Sequence, residues 1–179
     1  MKKDRLVWVD LEMTGLDAAT CAMVEIATLI TEGDLTLVAE GPNLVITQPE
    51  EALARMAPEV VAMHEKNGLL ARIRASTTSL AEAEAATLAF VREHCEHREA
   101  PLAGNSIHKD RQFIERYMPA LHGYLHYRNV DVSTVKELAR RWYPGRVPVY
   151  EKGDKHRALD DIRESIGELL HYRAHVFVP

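Results

Sequence analysis

Residues 5–16 read RLVWVDLEMTGL. The run at 6–10 predicts a strand, because bulky β-branched and aromatic side chains favour a pleated, half-buried surface. On a strand the side-chain period is two. Asp10 and Glu12 therefore share one face, while Val7, Val9 and Leu11 take the other. Two acids side by side on a mostly apolar strand repel unless a cation joins them. The plain alternative is a strand that ends at Asp10 and leaves both acids in water. The pair alone does not choose between these readings.

Working outward, residues 23–31 and 35–39 look like hairpin partners of that strand, with Glu32-Gly33-Asp34 as the turn between them. Residues 44–47 extend the last strand past Gly41-Pro42. After Pro49 the texture becomes helical. Ser79-Leu80-Ala81-Glu82 reads as a capping box for a helix reaching about His94. Residues 101–104 predict a short buried strand and 109–118 a helix. A further strand follows at 127–131. Ser133 is expected to cap a helix ending at Trp142, and 158–177 form the last helix. Three early strands that pair as a meander, then alternating strands and helices, give a mixed sheet with helices over its faces. Residues 144–155 carry Pro, Gly and scattered charge, the pattern of a mobile loop.

The 179 residues suit one domain spanning 1–179, and 46% hydrophobic with 27% charged argues against disorder. No apolar run is long enough to cross a bilayer, and the start resembles neither a secretory nor a transit segment. Cys21 and Cys95 form no C-x-x-C pair, which fits a reducing compartment. The expected location is the cytoplasm, or the mitochondrial matrix for a mature form. A net charge of −5 leaves no broad basic surface for long nucleic acid, so the charge limits substrate size more than substrate class.

Asp110 lies beside a stripe of Phe113, Ile114, Tyr117 and Met118. Taken alone it reads better as a first-turn acid favoured by the helix dipole. Asp160 and Asp161 flank the stripe Leu159, Ile162, Ile166 and Leu169 equally, and periodicity does not separate them. Ala158, one turn before Asp161, is small enough to leave room for a metal and substrate. His156 precedes that helix at the end of the mobile-looking loop, where a histidine can accept a proton at neutral pH. The chain has nine histidines. His64, His94, His97, His122, His126, His171 and His175 read mostly as surface residues, and none forms an H-E-x-x-H helix.

Taken in order, D-x-E at Asp10 and Glu12, the lone Asp110 in GNSIHKD, and H-x-A-x-x-D at His156, Ala158 and Asp161 resemble the DEDD family of 3′–5′ exonucleases, in its histidine-bearing branch. The third segment favours Asp161 over Asp160. WVDLEMTGLD, LAGNSIHKDRQFI, MPALHGYLHYRNVDVSTVKELARRWYP and HRALDDIRESIGEL are similar to members that degrade short RNA, mitochondrial small-RNA exonucleases included. Proofreading members usually carry Thr where this chain has Met13, and lack the HYR-x-x-DVST segment. The resemblance implies a ribonuclease-H-like α/β fold: a mixed five-stranded sheet, antiparallel meander plus parallel strands, flanked by helices. It also implies a homodimer that hydrolyses very short single-stranded RNA, dinucleotides included, to 5′-mononucleotides.

For this chemistry two divalent cations, Mg2+ or Mn2+, would sit about 3.5–4 Å apart. In that scheme Asp10 bridges them, Glu12 and Asp161 complete the site beside the attacking water, Asp110 supports the second ion, and His156 takes the proton. Met13 and Leu16 would offer apolar contact to bases, and the Thr14-Gly15 turn would approach the terminal ribose. Tyr127 would stack on a base and Arg128 pair with a phosphate, with Ser106, Ser133, Thr134 and His64 as further donors. Without the resemblance, Tyr127 and Arg128 read as a strand-edge aromatic and a surface cation. With it they contact substrate, within one protomer or across a dimer. Two other readings stand beside this one: a DNA-trimming exonuclease of the same branch, and a non-catalytic nucleotide-binding dimer. Met13 and the HYR segment argue against the first, and the intact five-residue set argues against the second.

Overall fold

The computed structural model describes residues 4–151 and 157–177. Strands β1 (Arg5–Met13), β2 (Met23–Glu32) and β3 (Leu37–Val45) form the expected antiparallel meander. Strands β4 (Pro101–Gly104) and β5 (His126–Asp131) add to the free edge of β1 in parallel, giving the order β3-β2-β1-β4-β5. β1 does not end at Asp10. It stays paired with β2 through Met13, with an irregularity only after Glu12, so Asp10 lies opposite Ala27 and Glu12 opposite Glu25.

The alternation along β1 sorts two cores. Val7, Val9 and Leu11 pack with Ile26 and Ile30 under α4 (Leu80–His94), α5 (His108–Tyr117) and α6 (Pro119–Tyr124), which contribute Val91, Phe113, Ile114 and Leu121. Trp8, Ala27, Leu29 and Ala103 face α7 (Val132–Trp142) and α8 (Ala158–His175) through Ala139, Ala158, Ile162 and Leu169. The buried Trp8 indole N–H donates to Thr31 Oγ1 at 2.9 Å, so its polar edge is satisfied. Three short helices, α1 (Glu50–Leu53), α2 (Pro58–Lys66) and α3 (Leu69–Ala75), close a smaller cluster over Val24 and Val45.

α4 starts at the expected capping box: Ser79 Oγ accepts the Glu82 N–H at 3.2 Å, and the Glu82 carboxylate accepts the Ser79 N–H at 2.7 Å. Three expectations are corrected. β3 begins at Leu37, because Leu35 takes a left-handed φ of 75° to close the turn after β2. The same strand continues past Gly41-Pro42 as expected but ends at Val45, short of residue 47, and a Cβ on Gly41 would lie 2.4 Å from the Phe90 ring. α7 is capped by Asp131, whose carboxylate accepts the Ser133 N–H at 2.9 Å, since β5 delivers Asp131 to the strand–helix junction and leaves Ser133 inside the first turn. Among the described residues no helix is long and apolar enough to cross a membrane.

Candidate active site

Asp10 and Glu12 share the Trp8 face of β1 and so point toward α8, which carries Asp161 in its first turn. Oxygens of these three carboxylates lie within 4.8 Å of one another. Asp160, the rival of Asp161, turns instead to Arg163 at 3.4 Å. Asp110 comes from α5. It is buried, and its Oδ1 accepts the N–H of Leu11 at 3.0 Å, the residue between Asp10 and Glu12. It is anchored to the strand rather than solvated at a helix start. Ala158, one turn before Asp161, is fully buried in the layer between α8 and the sheet.

Burial and mutual repulsion hold protons on this cluster. Burial pushes the Glu12 carboxyl up to about 8, with the charges of Asp161 and Glu25 adding and Arg157 opposing. Burial raises Asp110 to about 7 against the hydrogen bonds it accepts. Asp10 is pushed well above the usual carboxylate range, first by burial, then by Asp110, Asp161, Glu12 and Glu25. An all-oxygen, acidic donor set fits a hard divalent cation such as Mg2+ or Mn2+.

A stability consequence follows. Folded-state pKa values above the unfolded ones mean that the folded state binds more protons, so the stabilisation is present below the unfolded value of 4.5 and is lost as pH rises through about 8 for Glu12. In chelator, the melting temperature is expected to fall between about pH 5 and 8. Mn2+ should remove most of that slope. A flat profile in chelator would separate these acids from one another.

Glu25 was not singled out from the sequence. It is wholly buried, opposite Glu12 on the same face, and holds Arg157 at 2.8 Å and Arg72 at 3.3 Å. Arg157 directly precedes α8, so the pair ties the start of that helix to β2. Glu25→Gln is expected to cost about 1.5–3 kcal/mol in a urea melt, the range for hydrogen bonds to charged groups. Arg72→Ala, at a half-exposed partner, should cost about 1 kcal/mol or less. Equal costs would refute the view that Arg157 is the main partner.

Around the acids, Thr14 closes the 14–22 loop: its N–H donates to the Ala22 carbonyl and its Oγ1 accepts the Ala22 N–H, both at 2.9 Å. A Cβ on Gly15 would lie 2.7 Å from Cys21 Sγ, so glycine lets this loop fold on itself. Met13 packs half-buried against the core, while Leu16 is 68% exposed. Leu16 also borders an open concavity of about 720 Å³ with Asp17, Ala18, Lys109, Gln112 and Arg116, which includes none of Asp10, Glu12, Asp110 and Asp161.

His64 is not a surface residue. It is fully buried, and its Nε2 lies 3.1 Å from the Met13 carbonyl oxygen, beneath the end of β1. Ser106 and Ser133 come together with hydroxyl oxygens 3.2 Å apart, and Thr134 follows them, exposed, on α7. Tyr127 is 74% exposed on the outer strand β5, stacked on His126 and 5.4 Å from the Arg128 guanidinium. Among the described residues, neither Tyr127 nor Arg128 makes a side-chain hydrogen bond or ion pair to the acids or the serines. His156 lies outside the described residues.

A family model described as Exonuclease matches residues 7–169. An oligoribonuclease from Pseudomonas paraeruginosa is 55% identical over 170 residues, covering 95% of this chain and 94% of the relative. One from Marinobacter nauticus is 52% identical over 174 residues, 97% of each. Among solved structures, an exonuclease I described as suggesting how processivity is achieved superposes with a TM-score of 0.77 at 14% identity, over 97% of this chain and 42% of the other. Escherichia coli exonuclease I in complex with a 5cy-dA13 oligonucleotide gives 0.73 at 15%, over 97% and 41%. The chain spans less than half the length of these structures, and the likeness is one of ribonuclease-H-like fold.

Proposed function

The chain belongs to the oligoribonucleases of the exonuclease family, and from this we infer that it is a 3′–5′ exoribonuclease acting on very short RNA, dinucleotides above all, and releasing 5′-mononucleotides. The observation that carries the reading is the meeting of Asp10, Glu12 and Asp161 within 4.8 Å, with Asp110 held at the strand between the first two.

In this reading Asp10, Glu12, Asp110 and Asp161 would hold the divalent cations, two Mg2+ or Mn2+ ions. When bound, the cations neutralise charge at the scissile phosphate and make water a stronger acid. His156 takes the proton of the attacking water. Met13 and Leu16 contact base faces, and the Thr14-Gly15 backbone lies along the terminal ribose. Ser106, Ser133 and Thr134 receive the 5′-phosphate, with Arg128 reaching it from the other protomer. A buried His64 is better suited to bracing the Met13 carbonyl than to donating to substrate. Tyr127 and Arg128 serve the partner's site in a homodimer. Their exposure on the outer strand, away from their own acids, supports this. The enzyme works in the cytoplasm.

The test is purified protein with Mn2+ on RNA of two to seven nucleotides and on the matching DNA. Stepwise shortening from the 3′ end is expected, with 5′-mononucleotide products and fastest turnover on the RNA dinucleotide. Absence of hydrolysis would overturn the nuclease reading. Equal turnover of two- and seven-nucleotide RNA would remove only the length preference, and faster DNA turnover would favour the DNA-trimming alternative.

A further inference from the structure

The hydroxyls of Ser106 and Ser133 are joined to a buried polar layer that nothing in the catalytic scheme uses. Asn105 Nδ2 donates to Ser165 Oγ at 2.7 Å and to Glu168 Oε2 at 3.1 Å. Glu168 and Ser165 are both buried on α8, and the other oxygen of Glu168 faces Lys136 Nζ at 3.1 Å and the Tyr172 hydroxyl at 3.3 Å. Paired with the Lys136 ammonium, the Glu168 carboxylate accepts hydrogen bonds, so the amide nitrogen of Asn105 faces it. Its Oδ1 must then face Ser133, 3.0 Å away, and there the serine hydroxyl has to donate.

Ser133 has one proton, and Asn105 takes it. The lone pairs of Ser133 Oγ are left for Ser106, whose N–H donates to it at 3.0 Å and whose hydroxyl lies 3.2 Å from it. The Ser106 N–H is shared with Asp131 Oδ1, also at 3.0 Å, and Ser106 is held in the left-handed region at φ 50°. An L-residue stays there only when its surroundings fix it. Ser106 is exposed while Ser133 is partly buried. The chain of donation therefore runs one way, from Ser106 to Ser133 to Asn105, and Ser106 has the hydroxyl proton that can turn outward.

We propose that Asn105, locked by Glu168 and Ser165, is a positioning residue that gives the hydroxyl pair its direction and makes Ser106, not Ser133, the donor that reads a substrate 5′-phosphate. This rests on the reading above that the serine pair receives the 5′-phosphate. Among the described residues, Asp131 is the one acid in contact with the pair. Its Oδ1 is already occupied by the N–H groups of Ser106 and Ser133, and its Oδ2 lies 3.7 Å from His108 Nδ1.

The experiment measures binding of 5′-phosphorylated and 5′-hydroxyl RNA dinucleotides in Ca2+, with a thermal melt of each variant. The wild type should prefer the phosphorylated form. Ser106→Ala should reduce that preference about 10-fold or more, as expected for a lost hydrogen bond to a charged group. Ser133→Ala should reduce it less than half as much on a logarithmic scale. In the double variant Asn105→Ala/Ser106→Ala the Ser133 proton is released, and part of the preference should return. A general loosening of the fold would not restore it. Equal losses in the two serine variants would overturn the proposal while leaving the phosphate site in place. A wild type indifferent to the 5′-phosphate would overturn both. Should the double variant melt early, the two serine variants alone decide.

Discussion

With Asp10 replaced by asparagine, hydrolysis should vanish while the metal-free protein melts no lower than the parent. Asp10 is the carboxylate most crowded by others, with Asp110, Asp161, Glu12 and Glu25 all raising its proton affinity beyond the effect of burial. Asparagine keeps the shape and removes one charge from a site that repels itself. The fold then loses nothing in chelator, and the fall in stability with rising pH should become shallower. Catalysis behaves in the opposite way. Losing a carboxylate of the proposed metal site should remove several kcal/mol of transition-state stabilisation, about 10³-fold or more in turnover. Calorimetry in EDTA, Mn2+ titration and a dinucleotide assay on one preparation measure all three. A well-folded Asp10→Asn variant that binds Mn2+ and turns over substrate would remove Asp10 from the metal site.

His156→Ala is expected to lower turnover by about 10²–10⁴-fold, the contribution of a positioned general base. Dinucleotide affinity in Ca2+ should stay near that of the wild type, because proton transfer is used in the reaction and not in ground-state binding. Histidine titrates near neutrality, so the rate profile of the wild type should carry an acidic limb that the variant lacks. Normal turnover with weakened binding would make His156 a phosphate contact instead. Arg157, its neighbour in the chain, is fixed to Glu25, so Glu25→Gln offers a comparison in which the base is kept and its surroundings are altered.

The sheet was legible because alternation along β1 and the meander signals of β2 and β3 are local. The Ser79–Glu82 box also placed the start of α4 within the sequence itself. The capping of α7 was misread because Asp131 and Ser133 both suit a cap, and only the end of β5 decides which residue occupies it. His64 looked superficial because its partner, the Met13 carbonyl, is 51 residues away. Glu25 was missed for a similar reason. An acid inside the apolar run MVEIATLI is a signal, but pairing it with Glu12 requires the register across the 14–22 loop, and Arg157 lies 132 residues away. The resolution of Asp160 against Asp161 came from motif resemblance, and the distances among the carboxylates agree with it.

The parallel pairing of Val7 with Leu102, and the arrival of Asp161 on α8, set a clock on when this protein becomes dangerous to RNA. Chains are made from the N-terminus, and pairings between distant segments form late. The β1–β3 segment with Asp10 and Glu12 is made first, yet the third carboxylate is absent until α8 has emerged and docked. A nascent chain therefore carries an incomplete acid cluster until its last helix is in place.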